Sequence, residues 1–360
     1  MYTREILPPR ASPVEDGIPV IGTWNRAFLN VDLLEIRKPY NYLPRWARDY
    51  RIKEWEYFNV QDDRFLLSII FCNAKYFRAA LVQLYDRIKN ERYAFKTAKP
   101  GNGWKLPQSL CNSSVDSQSP EGFLPARKVS DFHFHIHSWL DADTVKLDMS
   151  IEASRRRPSF TAHLAYKTND ITPIAVSLMM GGRQHDQRIM YAYKTPAPVS
   201  GKMVFAGKQF IFNQENCSGF FCDYKGFFPY RMQTTICSAT GFFNENERFG
   251  FHIAENQTRG TNRNNENALW VNGQLTLLPP VLITMPGGLD SQWVIQDVEG
   301  MVDLTFTPIS YNKNGIEWII INAEVNTPVG YFNGMLVTSE GRKMQIKNLL
   351  GLGEKIYLRA

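Results

Sequence analysis

The last hundred residues place turn signals between short apolar segments, and this pattern restricts the chain to an antiparallel β fold. Asn272-Gly273 separates residues 267–271 from residues 274–278, and both segments are largely apolar. A type I′ turn needs positive φ at both central residues, which makes Asn-Gly between apolar runs a strong hairpin signal. Residues 301–308 alternate apolar and polar side chains, as expected of a strand with one buried face. These features predict antiparallel β structure.

The rest of the chain follows the same pattern. Residues 76–97 fit either a short helix or a hairpin, and the strand-like surroundings favour the hairpin. Pro196 and Pro198 mark the best boundary between two stretches of similar length and strand density. We therefore predict an all-β protein of two packed antiparallel barrel-like (lipocalin-like) halves, residues 1–195 and 196–360.

Composition argues against several classes of protein. The net charge of the 360-residue chain is only +6, and its basic residues are scattered, so no nucleic-acid partner is expected. Residues 1–18 contain no apolar segment of a signal peptide, and the longest apolar run, residues 65–72, is too short for a membrane span. The five cysteines include no CxxC pair. These features predict a soluble, cytoplasmic protein.

Three histidines at alternate positions are the sharpest chemical motif. His133, His135 and His137 would share one face of a strand, with apolar residues on the other face. A His-x-His pair such as His133 and His135, with a ligand from a neighbouring strand such as His163, would be able to bind zinc. The alternative is a solvated strand face, which commonly carries histidine. Apart from this zinc, no cofactor is expected.

The second half contains an ordered series of short motifs. They are Tyr193-Lys194-Thr195-Pro196, Asp223-Tyr224-Lys225-Gly226, Pro229-Tyr230-Arg231, Phe249-Gly250-Phe251-His252, the segment 266–273, the segment 302–308, Gly330-Tyr331-Phe332-Asn333-Gly334 and Gly351-Leu352-Gly353-Glu354. In order and spacing they resemble a bacterial family catalogued as domain of unknown function 2804. More distantly, the chain is similar to the paired lipocalin-like barrels of carotenoid hydratases and related cyclases.

The resemblance implies an architecture but no established activity. In that family the strand after the Pro-Tyr motif tends to carry tryptophans, whereas residues 233–237 of this chain have none. If those tryptophans contact a ligand, the ligand of this chain differs from that of other members.

Polar residues beside aromatic ones in these motifs are the candidate site. Asp223, Tyr230 and Glu266 are predicted to carry acid–base chemistry; substrate contacts are predicted from Arg231, Asn267, Trp270 and His252. For Asp223 and Arg231 the alternative is an ion pair that stabilises a turn. For Glu266 and Asn267 it is a polar loop, and for His252 a hydrogen-bonded core residue. Glu354 is interpreted as a charge at a strand edge rather than as an acid.

The sequence lacks a GxSxG elbow, a Walker A loop, a Rossmann fingerprint and an HExxH motif. We therefore predict a protein that binds a small apolar or amphipathic organic molecule and performs cofactor-independent hydration, cyclisation or isomerisation on it. One alternative is a non-catalytic lipocalin-like carrier or sensor. A second is a carbohydrate-active or carbohydrate-binding β-protein, for which Trp24, Trp55 and Trp270 would be exposed aromatic contacts.

Overall fold

The computed structural model describes residues 2–38, 40–117, 132–155, 157–181, 188–243, 247–310, 313–317 and 322–359. At 313–317, 322 and 323 it describes the backbone alone. Within these ranges nearly all regular structure is antiparallel β-sheet. The helical elements are α1 (Arg45–Asp49) and two single-turn 3-10 helices (Leu33–Glu35 and Leu140–Ala142).

The first fifteen strands, in chain order, are β1 (Val14–Glu15), β2 (Ile18–Pro19), β3 (Gly22–Trp24), β4 (Lys53–Gln61), β5 (Phe65–Asn73), β6 (Phe77–Asp86), β7 (Glu91–Pro100), β8 (Ser113–Asp116), β9 (Phe132–Trp139), β10 (Thr144–Ile151), β11 (Phe160–Lys167), β12 (Ile174–Met179), β13 (Ile189–Phe205), β14 (Lys208–Phe212) and β15 (Ser218–Gly226). Strands β1 and β2 form a small hairpin, and the others form the first sheet, in the order β7-β6-β5-β4-β15-β13-β11-β10-β9-β8. Strands β12 and β14 also pair with β13, and β3 pairs with β12.

The remaining strands are β16 (Arg231–Phe243), β17 (Glu247–Asn256), β18 (Ala268–Val271), β19 (Gln274–Leu277), β20 (Leu282–Thr284), β21 (Trp293–Gln296), β22 (Val302–Ser310), β23 (Lys313–Glu317), β24 (Asn322–Asn326), β25 (Val329–Val337) and β26 (Lys343–Arg359). They form the second sheet, in the order β19-β18-β17-β16-β26-β25-β22-β21-β20, with the β23–β24 hairpin attached to β26.

Aromatic contacts show that the first sheet curls back on itself. Phe71 on β5 and Phe134 on β9 lie in distant parts of the strand order, yet their ring centroids are 4.1 Å apart. Phe95 on β7 and Phe160 on β11 are similarly close, at 5.6 Å. One apolar cluster fills this interior. The alternating burial of β9, with Phe and Ile inward and His outward, follows the period of two of a strand.

The outer face of the same sheet packs against the second sheet. Tyr57 and Tyr224 from the first sheet share a buried apolar cluster with Trp270 and Leu352 from the second. A third cluster lies within the second sheet, where the rings of Phe251 and Phe332 are 5.0 Å apart. The predicted all-β class with two packed antiparallel barrel-like halves is thus confirmed.

The local predictions can be compared with the strands. Residues 77–100 form the β6–β7 hairpin, so the preference for a hairpin over a helix was correct. The predicted boundary at 195/196 falls inside β13, which belongs wholly to the first sheet. The two sheets divide instead between Gly226 and Arg231, because β15 pairs with β4 and β13.

The Asn272-Gly273 turn has the predicted geometry, with φ of 47° and 80°. A Cβ on Gly273 would lie 2.3 Å from the carbonyl oxygen of Asp170. We expect Gly273→Val to reduce the free energy of unfolding by about 2 kcal/mol or more, from backbone strain plus this clash.

Urea denaturation measures the free energy of unfolding of Gly273→Val, and Gly207→Val is the matched control. Gly207 also has positive φ, 76°, but a Cβ there meets no atom within 4 Å. Gly207→Val should therefore reduce the free energy of unfolding by the backbone strain alone, about 1 kcal/mol. Equal losses in the two variants would contradict the role of the contact with Asp170.

Candidate functional site

A cavity of about 390 Å³ lies between the two sheets. Its first wall is the outer face of β4 to β7, where Tyr57, Ile70, Leu81 and Lys96 stand in register across four adjacent strands. Its second wall comes from the second sheet: Met232, Ile236, His252, Val325, Glu354, Ile356 and Leu358. The size lies within the range of small-molecule sites, and most of the lining is apolar.

Four polar side chains gather at the buried end of this cavity, namely Tyr57, Tyr224, His252 and Glu354. Burial raises the pKa of Glu354 to about 7, and the Tyr57 hydroxyl partly opposes this shift. A carboxyl group with this pKa is present in both protonation states near neutral pH. Glu354 is thus able either to donate or to accept a proton within the cavity.

A hydrogen-bond network fixes the orientation of His252. The Lys194 ammonium lies 2.9 Å from Nδ1 of His252 and 2.5 Å from Oε2 of Glu266. Because an ammonium group only donates, Nδ1 must accept, and the proton of the neutral ring is on Nε2. This Nε2 lies 3.3 Å from the Tyr224 hydroxyl and donates to its oxygen. The Tyr224 hydrogen is then free for Glu266 or a ligand.

Burial sets the protonation states of this network. It lowers the pKa of His252 well below its usual value, and the charge of Lys194 acts in the same direction. Burial also lowers the pKa of Lys194, although Glu266 partly restores it. The pKa of Tyr224 is raised, first by burial and then by the charge of Glu266. The ring of His252 and the Tyr224 hydroxyl therefore remain neutral at ordinary pH.

Several predicted site residues lie near this network. His252 lines the cavity, and Glu266 lies behind it, where Asn256 Nδ2 donates to Glu266 Oε1 at 2.5 Å. Asn267 accepts from the Ala254 amide and donates to a loop carbonyl, so its amide is already engaged. Trp270 is buried between the sheets, with its indole N–H donating to the Thr172 carbonyl at 2.8 Å.

The predicted trio of Asp223, Tyr230 and Glu266 is not brought together. Neighbouring residues of a strand point to opposite faces. Tyr224 faces the second sheet, so Asp223 faces the interior of the first sheet. Tyr230 is 53% exposed in the short link between the sheets, and Arg231 is also exposed. No shared pocket joins these residues in the described part of the chain.

Asp223 instead lies opposite Glu56, its cross-strand neighbour on β4. Both are fully buried, and none of their carboxyl oxygens has a hydrogen-bond partner among the described residues. Burial raises the pKa of Asp223 to about 7, with Lys225 opposing the shift and Glu54 adding to it. The pKa of Glu56 is also raised, by burial and then by Asp223.

The histidine motif lies on the outer face of β9, as the alternation predicted. His135 pairs with Asp116 at 3.5 Å, and His163 pairs with Asp148 at 2.6 Å. Among the described residues, no group of three or more His, Cys, Asp or Glu side chains is placed to hold a metal ion. The zinc site proposed for His133 and His135 is therefore not assembled in this part of the chain.

Sequence reasoning missed four residues of the candidate site, which are Tyr57, Lys194, Tyr224 and Glu354. A lysine inside the apolar segment 189–199 was the available signal for Lys194. The expectation that Trp24 and Trp270 are exposed is wrong, since each is 1% exposed and packs in a core cluster. Among the described residues, no helix has the length and apolar character needed to cross a membrane.

A family model for domain of unknown function 2804 matches residues 12–359. The chain belongs to this family. The motifs of the second half therefore indicated the correct family, and the match extends over nearly the whole chain. A search of curated proteins finds no match.

Solved structures with the same fold include CghA in a crystal structure with Sch210972, at a TM-score of 0.52 and 11% identity over 89% of this chain and 92% of CghA. CghA in a separate structure gives 0.50 and 11%, covering 89% and 91%. Kievitone hydratase from Nectria haematococca gives 0.48 and 9%, covering 86% and 89%. At these identities the likeness to CghA concerns the fold alone.

Proposed function

We propose that the cavity between the sheets binds a small, largely apolar organic molecule and that Glu354 exchanges a proton with it, without a cofactor. The observation that carries the proposal is a buried carboxyl group with a pKa of about 7 in an apolar cavity. Raised carboxyl pKa values in such surroundings are typical of acid–base sites.

The remaining polar groups suit this chemistry. The hydroxyl groups of Tyr57 and Tyr224 are neutral donors, able to stabilise negative charge that develops on a substrate oxygen. Lys194 and Glu266 act behind His252 and hold its ring in one tautomer. Addition of water, ring closure and double-bond migration all need a proton to be delivered or removed at one carbon or oxygen, and Glu354 is the group proposed to do this.

Two further points support a ligand site over the alternatives. CghA, which has this fold, has a crystal structure with Sch210972. A simple carrier would not need an acid of perturbed pKa in its cavity. Against a carbohydrate site, Trp24 and Trp270 are buried in core clusters, and the carboxyl pair Glu56–Asp223 is enclosed within the first sheet.

The cavity can be tested with N-phenylnaphthylamine, a neutral probe that fluoresces in apolar sites. Ala79 lines the wall on β6, and Ala79→Trp should weaken probe binding by about tenfold or more, because the larger side chain fills the space. Ala165→Trp, on β11 away from the cavity, should leave the affinity unchanged. Equal affinities in both variants would exclude this cavity as the ligand site.

A further inference from the structure

The cavity has two chemically different ends. Tyr57 on β4 and Lys96 on β7 are separated by three strand spacings in one register row, or roughly 14 Å between Cα atoms. Tyr57 is 4% exposed, whereas Lys96 lies exposed on the edge strand of the sheet. The acid Glu354 is at the buried end, and the cation is at the open end.

Among the described residues, no partner of Lys96 explains its position. It makes no hydrogen bond or ion pair with any residue that the structure describes. It is also the one cation among the described residues that line the cavity. Arg92, four residues earlier on the same face, is not a lining residue, and its guanidinium donates to the Thr327 carbonyl.

From this arrangement we propose that the ligand is an amphipathic organic acid. Its carboxylate lies at Lys96, and its apolar body extends toward Glu354. A carboxylate costs much free energy to bury without a partner, so the charged end of such a ligand stays at the open edge. The apolar walls lined by Ile70, Leu81 and Ile356 then bury its body. This inference rests on the proposed function, since it assumes that the same cavity is the ligand site.

The experiment is displacement of N-phenylnaphthylamine by decanoate and by decanol, which share a chain length and differ in charge. Decanoate should bind about two- to fivefold more tightly than decanol, the gain expected of an exposed ion pair. Added salt should reduce this difference. Lys96→Gln should abolish it, while Lys146→Gln, which removes an exposed lysine of β10 away from the cavity, should preserve it.

The outcomes separate the two proposals. If the probe binds but decanoate and decanol compete equally in the wild type, the ligand is not recognised as an anion and this inference is overturned. This inference is also overturned if Lys96→Gln and Lys146→Gln have the same effect on the difference in affinity between decanoate and decanol. If the probe does not bind the wild type at all, the proposed ligand cavity itself fails.

Discussion

Replacing Glu354 by glutamine is expected to slow the reaction in the cavity by roughly 100-fold or more, the usual contribution of a positioned acid or base. Glutamine keeps the shape of the side chain but cannot exchange a proton. The affinity for the neutral probe should stay within about twofold, because the apolar walls are unchanged. The variant thus separates chemistry from binding.

The measurement begins with a screen of small organic acids, in which mass spectrometry identifies compounds converted by the wild-type protein. Turnover of such a compound is then compared in Glu354→Gln and in Glu340→Gln, a control at an exposed turn residue. The loss should appear in kcat rather than in KM. Full turnover by Glu354→Gln would eliminate Glu354 as the proton donor.

The pH profile gives an independent check. If Glu354 acts as the acid, the rate should fall as pH rises through about 7, where the carboxyl group loses its proton. The Tyr57 hydroxyl lowers the pKa of Glu354, so Tyr57→Phe should move this fall to higher pH. An unchanged midpoint in Tyr57→Phe would contradict the coupling between the two side chains.

The second large effect concerns stability. Asp223 has a folded pKa of about 7, above its unfolded value of 3.8, so the unfolded state releases its proton first as pH rises. Stability is therefore greatest below about pH 4 for this group and declines until pH exceeds 7. The loss is of the order of a few kcal/mol. Asp223→Asn should remove the contribution of Asp223 to this decline. The variant should therefore lose less stability between pH 5 and pH 8 than the wild type does.

Urea denaturation at pH 5 and pH 8 measures the effect, with the difference between the two values taken for each variant. Any fixed cost of burying the asparagine amide cancels in that difference. Asp290→Asn, at an exposed position, is the control and should match the wild type. Since Asp223 faces away from the cavity, Asp223→Asn should keep probe affinity. An equal pH response in all three proteins would contradict the buried state of the Asp223 carboxyl group.

Local features of the fold were accessible from sequence because they depend on neighbouring residues. The Asn272-Gly273 turn needs only positive φ at two positions, and the alternation in β9 needs only the period of a strand. The boundary between the sheets was less accessible, because it depends on β15 pairing with β4, more than 150 residues earlier in the chain. No composition change marks such a long-range pairing.

The candidate site shows the same division between features set by neighbouring residues and features set by long-range packing. His252 and Glu266 were proposed because they stand in motifs beside aromatic residues, and the network joins them. Asp223 was assigned to the same site as its neighbours, although strand alternation sends Asp223 and Tyr224 to opposite faces. Glu354 resembled an edge charge because its burial arises only when β26 packs against the first sheet.

The position of β7 at the end of its sheet has a consequence for how a ligand enters and leaves. Among the described strands β7 pairs only with β6, so its other edge is not hydrogen-bonded to a neighbour. A strand held on one side frays at lower free energy than a central strand. If the cavity binds a ligand as proposed, we expect this edge strand to be its gate, so that the residence time of the ligand would follow the opening rate of β7 rather than the unfolding rate of either sheet.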